Sequence, residues 1–203
     1  MVVAEILSAA LSILLFSLFP LGLYVGREGT VKGFLYHLGL RRPPSESYLY
    51  ALGLAVVSVV ISGLVYYAVG LWDVLAGPQS VSGQIRELGI PVTAVLVIVI
   101  RAVFATGLAE EIFFRGFLGP QFAKVVGFRA GNLIQALVFG SVHGFLLIGI
   151  GVVSMAAVVV TTGCIGYLLG HLNEVYGRGS IIPSWTAHAL TNLVSFSLIA
   201  FVI

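Results

Sequence analysis

Long apolar stretches separated by short polar segments dominate the pattern of this chain. The stretch from Ile6 to Val25 is long enough, at about 20 residues, to cross a lipid bilayer as a helix. Each later apolar stretch ends near glycine, proline or charged residues, which commonly stop helices. The pattern predicts an all-α transmembrane bundle of about six spans, at 6–25, 48–71, 91–118, 130–147, a fifth that follows the break at Gly149 and Gly151 and ends near Leu172, and 183–203.

The segments between the spans are predicted to be short connectors. Residues 27–47 hold several basic side chains, and the aromatic residues Phe34 and Tyr36 indicate a short interfacial helix within 31–40. We predict a loop over 72–90 and a turn over 173–180. At 203 residues the chain is expected to form one membrane domain, with the chemistry of interest in 105–195.

The composition supports a location in the membrane. Hydrophobic residues make up 59% of the chain and charged residues only 9%, whereas soluble domains carry about 25% charged residues. The net charge of +2 gives no reason to expect binding to nucleic acid. The single cysteine, Cys164, excludes an internal disulfide, and within an apolar run it is expected to pack as a small side chain.

Basic residues are distributed unevenly among the predicted connectors. Cytoplasmic connectors carry an excess of Lys and Arg, so we expect the first, third and fifth connectors to face the cytoplasm and both termini to lie outside. The opposite side holds Arg86 alone. Seven basic residues lie in or beside the first, third and fifth connectors: Arg27, Lys32, Arg41, Arg42, Lys124, Arg129 and Arg178.

Four ionisable residues lie within the third span, and for one of them, Arg101, the sequence identifies no partner. A charge at this depth costs roughly 2.5–3.5 kcal/mol, so Glu110, Glu111 and Arg115 indicate a functional site. Glu111 and Arg115 are four residues apart and can pair on one helix face. Glu110 points about 100° away and lacks that partner, which suits a general base. The alternative is an ion pair that only holds helices together, but such a pair needs one carboxylate and not two.

Two further spans each present a polar stripe at helical spacing. His188 and Asn192, one turn apart, offer two donors that can converge on a developing oxyanion. In both spans the alternative is a polar residue that packs in a helix interface. The stripe of the fourth span consists of Asn132, Gln135, Phe139 and His143. The stripe of the sixth span consists of Ser184, His188, Asn192 and Ser195.

Together these stripes could support the attack of water on an amide carbonyl. A glutamate and a histidine can deprotonate the water, while a second histidine and an asparagine hold the oxyanion. The same glutamate and histidines could instead ligate zinc. We favour a reaction without a metal cofactor and keep zinc as the alternative. The chain has neither an H-E-x-x-H pair nor a G-x-S-x-G elbow.

The order of these residues resembles the CPBP family, the CAAX-protease and bacteriocin-processing (Abi) family. The resemblance covers about 108–192 and implies an intramembrane glutamate endopeptidase related to type II CAAX prenyl endopeptidases. It implies that Glu110 and His143 activate water, that His188 and Asn192 form the oxyanion hole, and that Glu111 and Arg115 support the site or bind substrate. The motifs are Glu110-Glu111-x-x-x-Arg115, Phe139-x-x-x-His143 and Pro183-x-x-x-x-His188-x-x-x-Asn192.

The resemblance also implies a membrane-associated substrate, prenylated in the CAAX branch, that is cleaved at an active site facing the cytoplasm. The rival hypothesis is a non-enzymatic membrane protein, either an immunity or scaffold factor or a proton-coupled carrier that uses Glu110. We see no internal repeat of the kind that carriers show. Counted from the cytoplasmic helix ends, His143 lies deeper than Glu111 and His188. The fourth span is therefore expected to begin outside the membrane.

Overall fold

The chain folds as a bundle of helices in the computed structural model, which describes residues 1–78, 80–87 and 92–202. The described part contains no strand, as the sequence predicts. Its nine helices are α1 (Val2–Glu28), α2 (Phe34–His37), α3 (Ser47–Ala68), α4 (Trp72–Ala76), α5 (Val81–Glu87), α6 (Val92–Val126), α7 (Phe128–Phe145), α8 (Val152–Tyr176) and α9 (Ile182–Phe201).

Four of these helices, α1, α3, α6 and α8, are long and apolar enough to cross a membrane. The other two long helices, α7 and α9, have 18 and 20 residues and carry the two polar stripes. Their polar side chains lower their hydropathy. Asn132 and Gln135 of α7 donate to the carbonyls of Tyr167 and Gly166 on α8. The prediction of about six spans is therefore approximate: six helices are long, and four of them are also apolar enough to cross a membrane.

The longest helix, α6, passes the point where the sequence predicts its end. Gly119 and Pro120 lie inside it, so the predicted stop at residue 118 is wrong. The reason is a change in the hydrogen-bond ladder: 101–108 and 112–118 form π-helical turns, and an α-helical ladder resumes at Gly119. Pro120 lacks an N–H at the point where the backbone hydrogen bonds change from the π-helical to the α-helical pattern, so the proline costs the helix little stability there.

Several connector predictions also need correction. The short interfacial helix covers only Phe34–His37, and the predicted loop over 72–90 contains α4 and α5. The predicted turn over 173–180 begins late, because α8 continues through π-helical residues to Tyr176. The predicted start of the third span at Pro91 lies outside the described residues.

Glycines allow α7 and α8 to pack closely. A Cβ atom on Gly140 would overlap the backbone of Val159, and one on Gly170 would overlap the side-chain amide of Asn132. Small residues permit this approach of two backbones within a membrane. Gly166 and Gly170, four residues apart on α8, thus both allow close contacts with neighbouring helices.

Hydrogen bonds join the connectors at the end of the bundle that holds most of the basic residues, here called the basic end. The carbonyl of Gly39 accepts a hydrogen bond from the N–H of Ile181 at 3.0 Å. Arg41 Nη2 donates to the carbonyl of Arg178 at 2.9 Å, and Ser180 Oγ donates to the carbonyl of Arg41 at 2.6 Å. Leu38 and Ile181 are buried beneath these bonds. We call this arrangement, residues 38–41 on residues 178–181, the basic-end seal.

The hairpin of α6 and α7 extends beyond this seal. Gly116 packs against the seal, because a Cβ atom on it would lie 2.7 Å from the carbonyl oxygen of Leu38. The remaining ten residues of α6 rise about 15 Å further and pack on the start of α7, where Gly131 contacts Ala123. His143 follows the start of α7 by 15 residues, and His188 follows the start of α9 by only six. The extension brings the two histidines to one level.

Two further side chains find their places in the fold. Arg101, which the sequence leaves without a partner, donates from Nη2 to Oε2 of Glu5 at 2.7 Å and so links α6 to α1. The side chain of Glu5 is buried and that of Arg101 is partly buried, so the pair satisfies two charges that the membrane interior would otherwise penalise. Cys164 is exposed on α8, so the expectation that it packs inside the bundle is wrong.

Candidate active site

A buried ion pair forms the base of the site. Arg115 Nη1 donates to Oε1 of Glu111 at 2.9 Å, one helical turn apart on α6, and both side chains are buried. This is the pairing that the four-residue spacing predicts. The charged guanidinium donates to the charged carboxylate in a region that excludes water, and charge-assisted hydrogen bonds of this kind are strong.

The second oxygen of Glu111 is held by α9. Ser184 Oγ donates to Oε2 of Glu111 in a short hydrogen bond. Ser184 is in turn fixed by Asn173, whose Nδ2 donates to its hydroxyl at 2.6 Å and whose Oδ1 accepts its N–H at 3.1 Å. The sequence places Ser184 in the stripe but gives Asn173 no role. The sequence offers one signal for Asn173: it is an amide residue near the end of the fifth span, 11 residues before Ser184.

His188 connects the buried ion pair to the reactive side of the site. Its Nδ1 donates to Oε1 of Glu111 at 3.0 Å. Its other nitrogen, Nε2, lies 3.7 Å from Oε2 of Glu110. Because Glu111 fixes the ring through Nδ1, Nε2 is the nitrogen that faces Glu110.

His143 is oriented in the same way by a different acceptor. Its Nδ1 lies 2.9 Å from the carbonyl oxygen of Phe139, and since a carbonyl can only accept, Nδ1 carries the proton. Its Nε2 lies 3.9 Å from Oε2 of Glu110. The two imidazoles therefore present their Nε2 atoms to the same carboxylate oxygen.

Glu110 is the partly exposed carboxylate of the pair. Its side chain keeps 17% of its accessible surface, whereas that of Glu111 keeps 0%. Among the described residues no donor lies within hydrogen-bond distance of Oε2 of Glu110. The separations of 3.7 and 3.9 Å to the histidines exceed a direct hydrogen bond and suit one bridging molecule.

Phe139 forms the wall between the histidines and the ion pair. The guanidinium carbon of Arg115 lies 4.2 Å from the centre of its ring, a cation–π contact, and the ring of His143 lies 4.4 Å away. Gly166 on α8 makes room for this stack, because a Cβ atom there would lie 3.0 Å from both Arg115 Nη2 and Phe139 Cδ1. The ring of Phe139 thus packs against both groups, while its backbone carbonyl accepts the hydrogen bond from Nδ1 of His143.

Asn192 lies one turn beyond His188 and is fixed by a residue that the sequence analysis missed. Its Nδ2 donates to Oγ1 of Thr106 at 3.0 Å, and Thr106 Oγ1 donates to the carbonyl of Arg101 at 3.0 Å. This second bond spans five residues within the π-helical part of α6. The available signal was a hydroxyl four residues before Glu110, on the same helix face.

These side chains open onto one cavity of about 370 Å³. Ligand cavities in proteins commonly measure about 300–1,000 Å³ and are mostly apolar with a few polar groups. Half of the lining residues are leucine, isoleucine, valine or phenylalanine, and Ser62, Tyr66 and Thr162 add polar groups from α3 and α8. The cavity reaches the four residues expected to carry the chemistry: Glu110, His143, His188 and Asn192.

Glutamate and histidine side chains, which can ligate zinc, meet in the site. Within 1–78, 80–87 and 92–202, no group of three or more His, Cys, Asp or Glu side chains is arranged to hold a metal ion. The donor types fit zinc, but their arrangement does not, so no step below involves a metal. Metal independence itself stays a prediction.

Comparison with known families gives a match over the second half of the chain. The family model described as type II CAAX prenyl endopeptidase Rce1-like matches residues 91–194, just over half of the chain. This chain belongs to that family. The matched range runs from α6 to α9 and contains every residue of the site described above. No curated protein and no solved structure matches the chain.

Membership in the Rce1-like family confirms the resemblance drawn from the three motifs. It implies protease activity on a membrane-associated protein substrate, in a protein that is integral to the membrane. The geometry adds that the predicted residues meet. Glu110 faces both histidines, while Glu111 and Arg115 support His188 from behind. Asn192 lines the same cavity through its own partner, Thr106.

Proposed function

We propose that this protein is an intramembrane endopeptidase in which Glu110 and His143 activate a water molecule. The observation that supports this most directly is the placement of Oε2 of Glu110 3.7 and 3.9 Å from two histidine Nε2 atoms, in a cavity that all three residues line. A water molecule in that gap can reach all three groups. Glu110 has no competing donor among the described residues, so its oxygen is free to accept a proton.

In the proposed reaction the carboxylate of Glu110 takes a proton from the water, and His143 orients the water through Nε2. The water oxygen forms a bond to the carbonyl carbon of the scissile peptide, and the carbonyl π electrons move to its oxygen. His188 Nε2–H and Asn192 Nδ2–H donate to that oxyanion. Collapse of the intermediate breaks the C–N bond, and the proton held by Glu110 passes to the leaving amine.

The buried groups behind the site explain why His188 can serve as the donor. Nε2 must carry a proton in order to donate to the oxyanion, and Nδ1 already donates to Glu111. The resulting positive charge on the imidazole lies beside an ionised Glu111, which Arg115 and Ser184 keep in place. Thr106 similarly holds Asn192 so that one amide N–H is used and the second stays available.

The substrate is proposed to be a membrane-associated polypeptide, with or without a prenyl group at a C-terminal CAAX motif. An apolar cavity beside the catalytic groups suits peptide residues that leave the lipid phase. We further propose that the connectors with most of the basic residues face the cytoplasm of a cell membrane. The catalytic groups then lie in the cytoplasmic half of the bundle, about 9 Å from the basic-end seal, because Gly116 contacts the seal six residues after Glu110.

The direct test is cleavage of matched prenylated and unprenylated CAAX peptides by the purified protein in proteoliposomes. Glu110→Gln keeps the size of the side chain and removes the base, so cleavage should fall about 10²–10⁴-fold. Cleavage by Glu110→Gln at the rate of the unmodified protein would reject the proposal. Ion flux that needs Glu110, without any peptide cleavage, would support the carrier hypothesis instead.

The same assay tests the zinc alternative and the peptide preference. We expect cleavage to be unchanged by a chelator, and loss on chelation with recovery on adding zinc would reverse that choice. A preference for the prenylated peptide in the ratio of kcat/KM would place the protein in the prenyl-processing branch. Equal values would show that the apolar cavity accepts peptides without a lipid group.

A further inference from the structure

A second group of polar side chains faces the catalytic cavity at a distance from the groups that carry the proposed chemistry. Three helices each contribute one hydroxyl: Ser62 from α3, Thr162 from α8 and Ser195 from α9. We call these three residues the hydroxyl cluster. Tyr66, one turn beyond Ser62 on α3, also lines the cavity. Because α3 precedes residues 91–194, the cluster includes a residue that the family match does not cover.

The packing of the bundle places the three hydroxyls at one level. Ala55 of α3, Leu169 of α8 and Ala187 of α9 belong to one buried cluster of apolar residues. On each helix the hydroxyl residue lies seven or eight positions from that apolar residue, in the direction away from the basic end. At about 1.5 Å per residue, all three lie about 10–12 Å beyond it. A hydrogen bond from Ser154 Oγ to the carbonyl of Val69, at 3.2 Å, fixes the same register between α3 and α8.

This level lies a few peptide residues from the catalytic groups. Ser195 follows His188 by seven positions on the same face of α9, which corresponds to a rise of about 10 Å. An extended peptide advances about 3.3–3.6 Å per residue. A peptide that runs along α9 with its scissile carbonyl at His188 and Asn192 therefore meets the hydroxyl cluster about three residues from the scissile bond. Both sets of side chains line the same cavity.

Hydroxyl groups are chemically suited to a peptide backbone. A buried backbone N–H or C=O group without a partner costs free energy, and a hydroxyl can donate one hydrogen bond and accept two. Thr162 Oγ1 already donates to the carbonyl of Val158 at 2.6 Å, so it offers its lone pairs to a peptide N–H. The two serine hydroxyls can also donate to a peptide carbonyl. The side chains of Ile165 and Phe196 beside them in the lining are apolar and offer no such partner.

We propose that the hydroxyl cluster is a subsite for the backbone of the substrate, about three residues from the scissile bond. The inference rests on the proposed protease function and adds the residues that hold the peptide at a distance from the reacting atoms. None of the described residues that line the cavity is a lysine or an arginine, so the subsite matches a neutral backbone group. It contacts the peptide equally before and during the reaction, so it lowers KM and leaves kcat unchanged.

Three single variants each remove one hydroxyl of the cluster: Ser62→Ala, Thr162→Val and Ser195→Ala. We expect KM for a peptide that the unmodified protein cleaves to rise about 3–10-fold in each serine variant, with kcat within about two-fold. The matched control is Ser197→Ala, which removes a hydroxyl from α9 outside the cavity lining and should leave KM unchanged. The midpoint of thermal unfolding in detergent is measured for all four variants and should stay at the value of the unmodified protein.

A change in the peptide identifies the backbone group that the cluster holds. Replacing one backbone amide by an ester removes a single N–H donor, and the ester is placed in turn at the second, third and fourth residues on each side of the scissile bond. The ester at the third residue on one side should raise KM about 3–10-fold in the unmodified protein. It should add less than about two-fold in the variant that has lost the acceptor. Ester effects that are equal in the unmodified protein and in all three variants would overturn the subsite.

The outcomes separate the subsite from the function. If the unmodified protein cleaves and the variants keep its KM, the subsite is wrong and the protease function stands. If the variants lower kcat and the midpoint of unfolding but not KM, the hydroxyls only pack in the bundle and the subsite is again wrong. If the unmodified protein cleaves none of the peptides, the proposed function fails, and a subsite for cleavage fails with it.

A binding measurement tests the subsite without turnover. The peptide is bound to the protein with Glu110→Gln, and Ser195→Ala in that background should raise Kd about 3–10-fold. Ser197→Ala in the same background should leave Kd within about two-fold. Equal Kd values in all three proteins would contradict the subsite, whatever the rate of cleavage by the unmodified protein.

Discussion

Oε1 of Glu111 accepts hydrogen bonds from both Nδ1 of His188, at 3.0 Å, and Nη1 of Arg115, at 2.9 Å. One buried oxygen thus joins α6 to the catalytic stripe of α9. Breaking a buried pair by removing one partner leaves an uncompensated charge, which is strongly destabilising. The two adjacent glutamates therefore divide their work: Glu111 holds the structure and Glu110 is left free for chemistry.

Replacing Glu111 tests this division. Glu111→Gln leaves the Arg115 guanidinium buried without a counter-charge, so we expect the free energy of unfolding to fall by about 3–5 kcal/mol. The measurement is thermal and denaturant unfolding in detergent. The matched control is Glu110→Gln, which removes a carboxylate with no hydrogen-bond donor on Oε2 among the described residues and should change stability by less than about 1 kcal/mol. Equal losses in the two variants would contradict the division.

Thr106 offers a test of how Asn192 is positioned. Thr106→Val keeps the shape of the side chain but removes the acceptor for Asn192 Nδ2. The loss of one hydrogen bond, about 0.5–1.5 kcal/mol, corresponds to a fall in kcat of about 2–10-fold. KM should stay unchanged, because the amide is proposed to contact the oxyanion and not the ground-state peptide.

The matched control for this position is Thr106→Ser, which keeps the hydroxyl and should retain the kcat of the unmodified protein. A purely structural role would instead lower the midpoint of thermal unfolding in both variants in proportion to lost packing. A Thr106→Val protein with normal kcat would show that Asn192 needs no support from α6.

The sequence predicted those features that depend on spacing within a single helix. Glu111 and Arg115 pair because they are four residues apart. Part of each stripe faces the cavity: Phe139 and His143 on α7, and His188, Asn192 and Ser195 on α9. Asn132 and Gln135 instead donate to backbone carbonyls of α8. The separation of Glu110 from the pair of Glu111 and Arg115 follows from the same geometry. These relationships are local, so the identity and order of residues determine them.

What the sequence could not predict depends on contacts between helices or on departures from the regular ladder. The π-helical turns of α6 bring Thr106 to the carbonyl of Arg101, five residues earlier, and carry the helix through Gly119 and Pro120. The bonds between Asn173 and Ser184 join two helices whose relative rotation no hydropathy pattern specifies. The partner of Arg101 lay 96 residues away, on α1.

The stack of Arg115 on Phe139 is expected to be sensitive to one atom on α8. Gly166→Ala places a Cβ atom 3.0 Å from both groups, so the stack must shift, and we expect a loss of about 1–3 kcal/mol in stability together with reduced cleavage. The matched control is Gly163→Ala, one turn earlier on α8, where the nearest atom lies at an ordinary 3.4 Å.

In that control the added methyl group should be neutral or should stabilise the helix by up to about 1 kcal/mol, because alanine favours helices over glycine. Unfolding in detergent and cleavage are measured for both variants side by side. Equal behaviour of the alanine variants at 163 and 166 would show that the stack tolerates displacement and that Phe139 needs no fixed position.

The ion pair between Glu5 and Arg101 should stabilise the bundle without serving the reaction. The two side chains join α1 to α6, and neither lines the catalytic cavity. Arg101→Gln leaves the buried Glu5 carboxylate without its partner and should lose about 3–5 kcal/mol. Glu5→Gln leaves Arg101, which keeps 27% of its side-chain surface, and should lose less. The double variant removes both charges, so its loss should be smaller than the sum of the two single losses.

A double-mutant cycle on unfolding in detergent measures this coupling, and cleavage per folded molecule should stay unchanged in all three variants. Strict additivity would mean that the pair contributes nothing as a pair, and a selective loss of cleavage would instead connect α1 to the chemistry through the carbonyl of Arg101 that Thr106 uses.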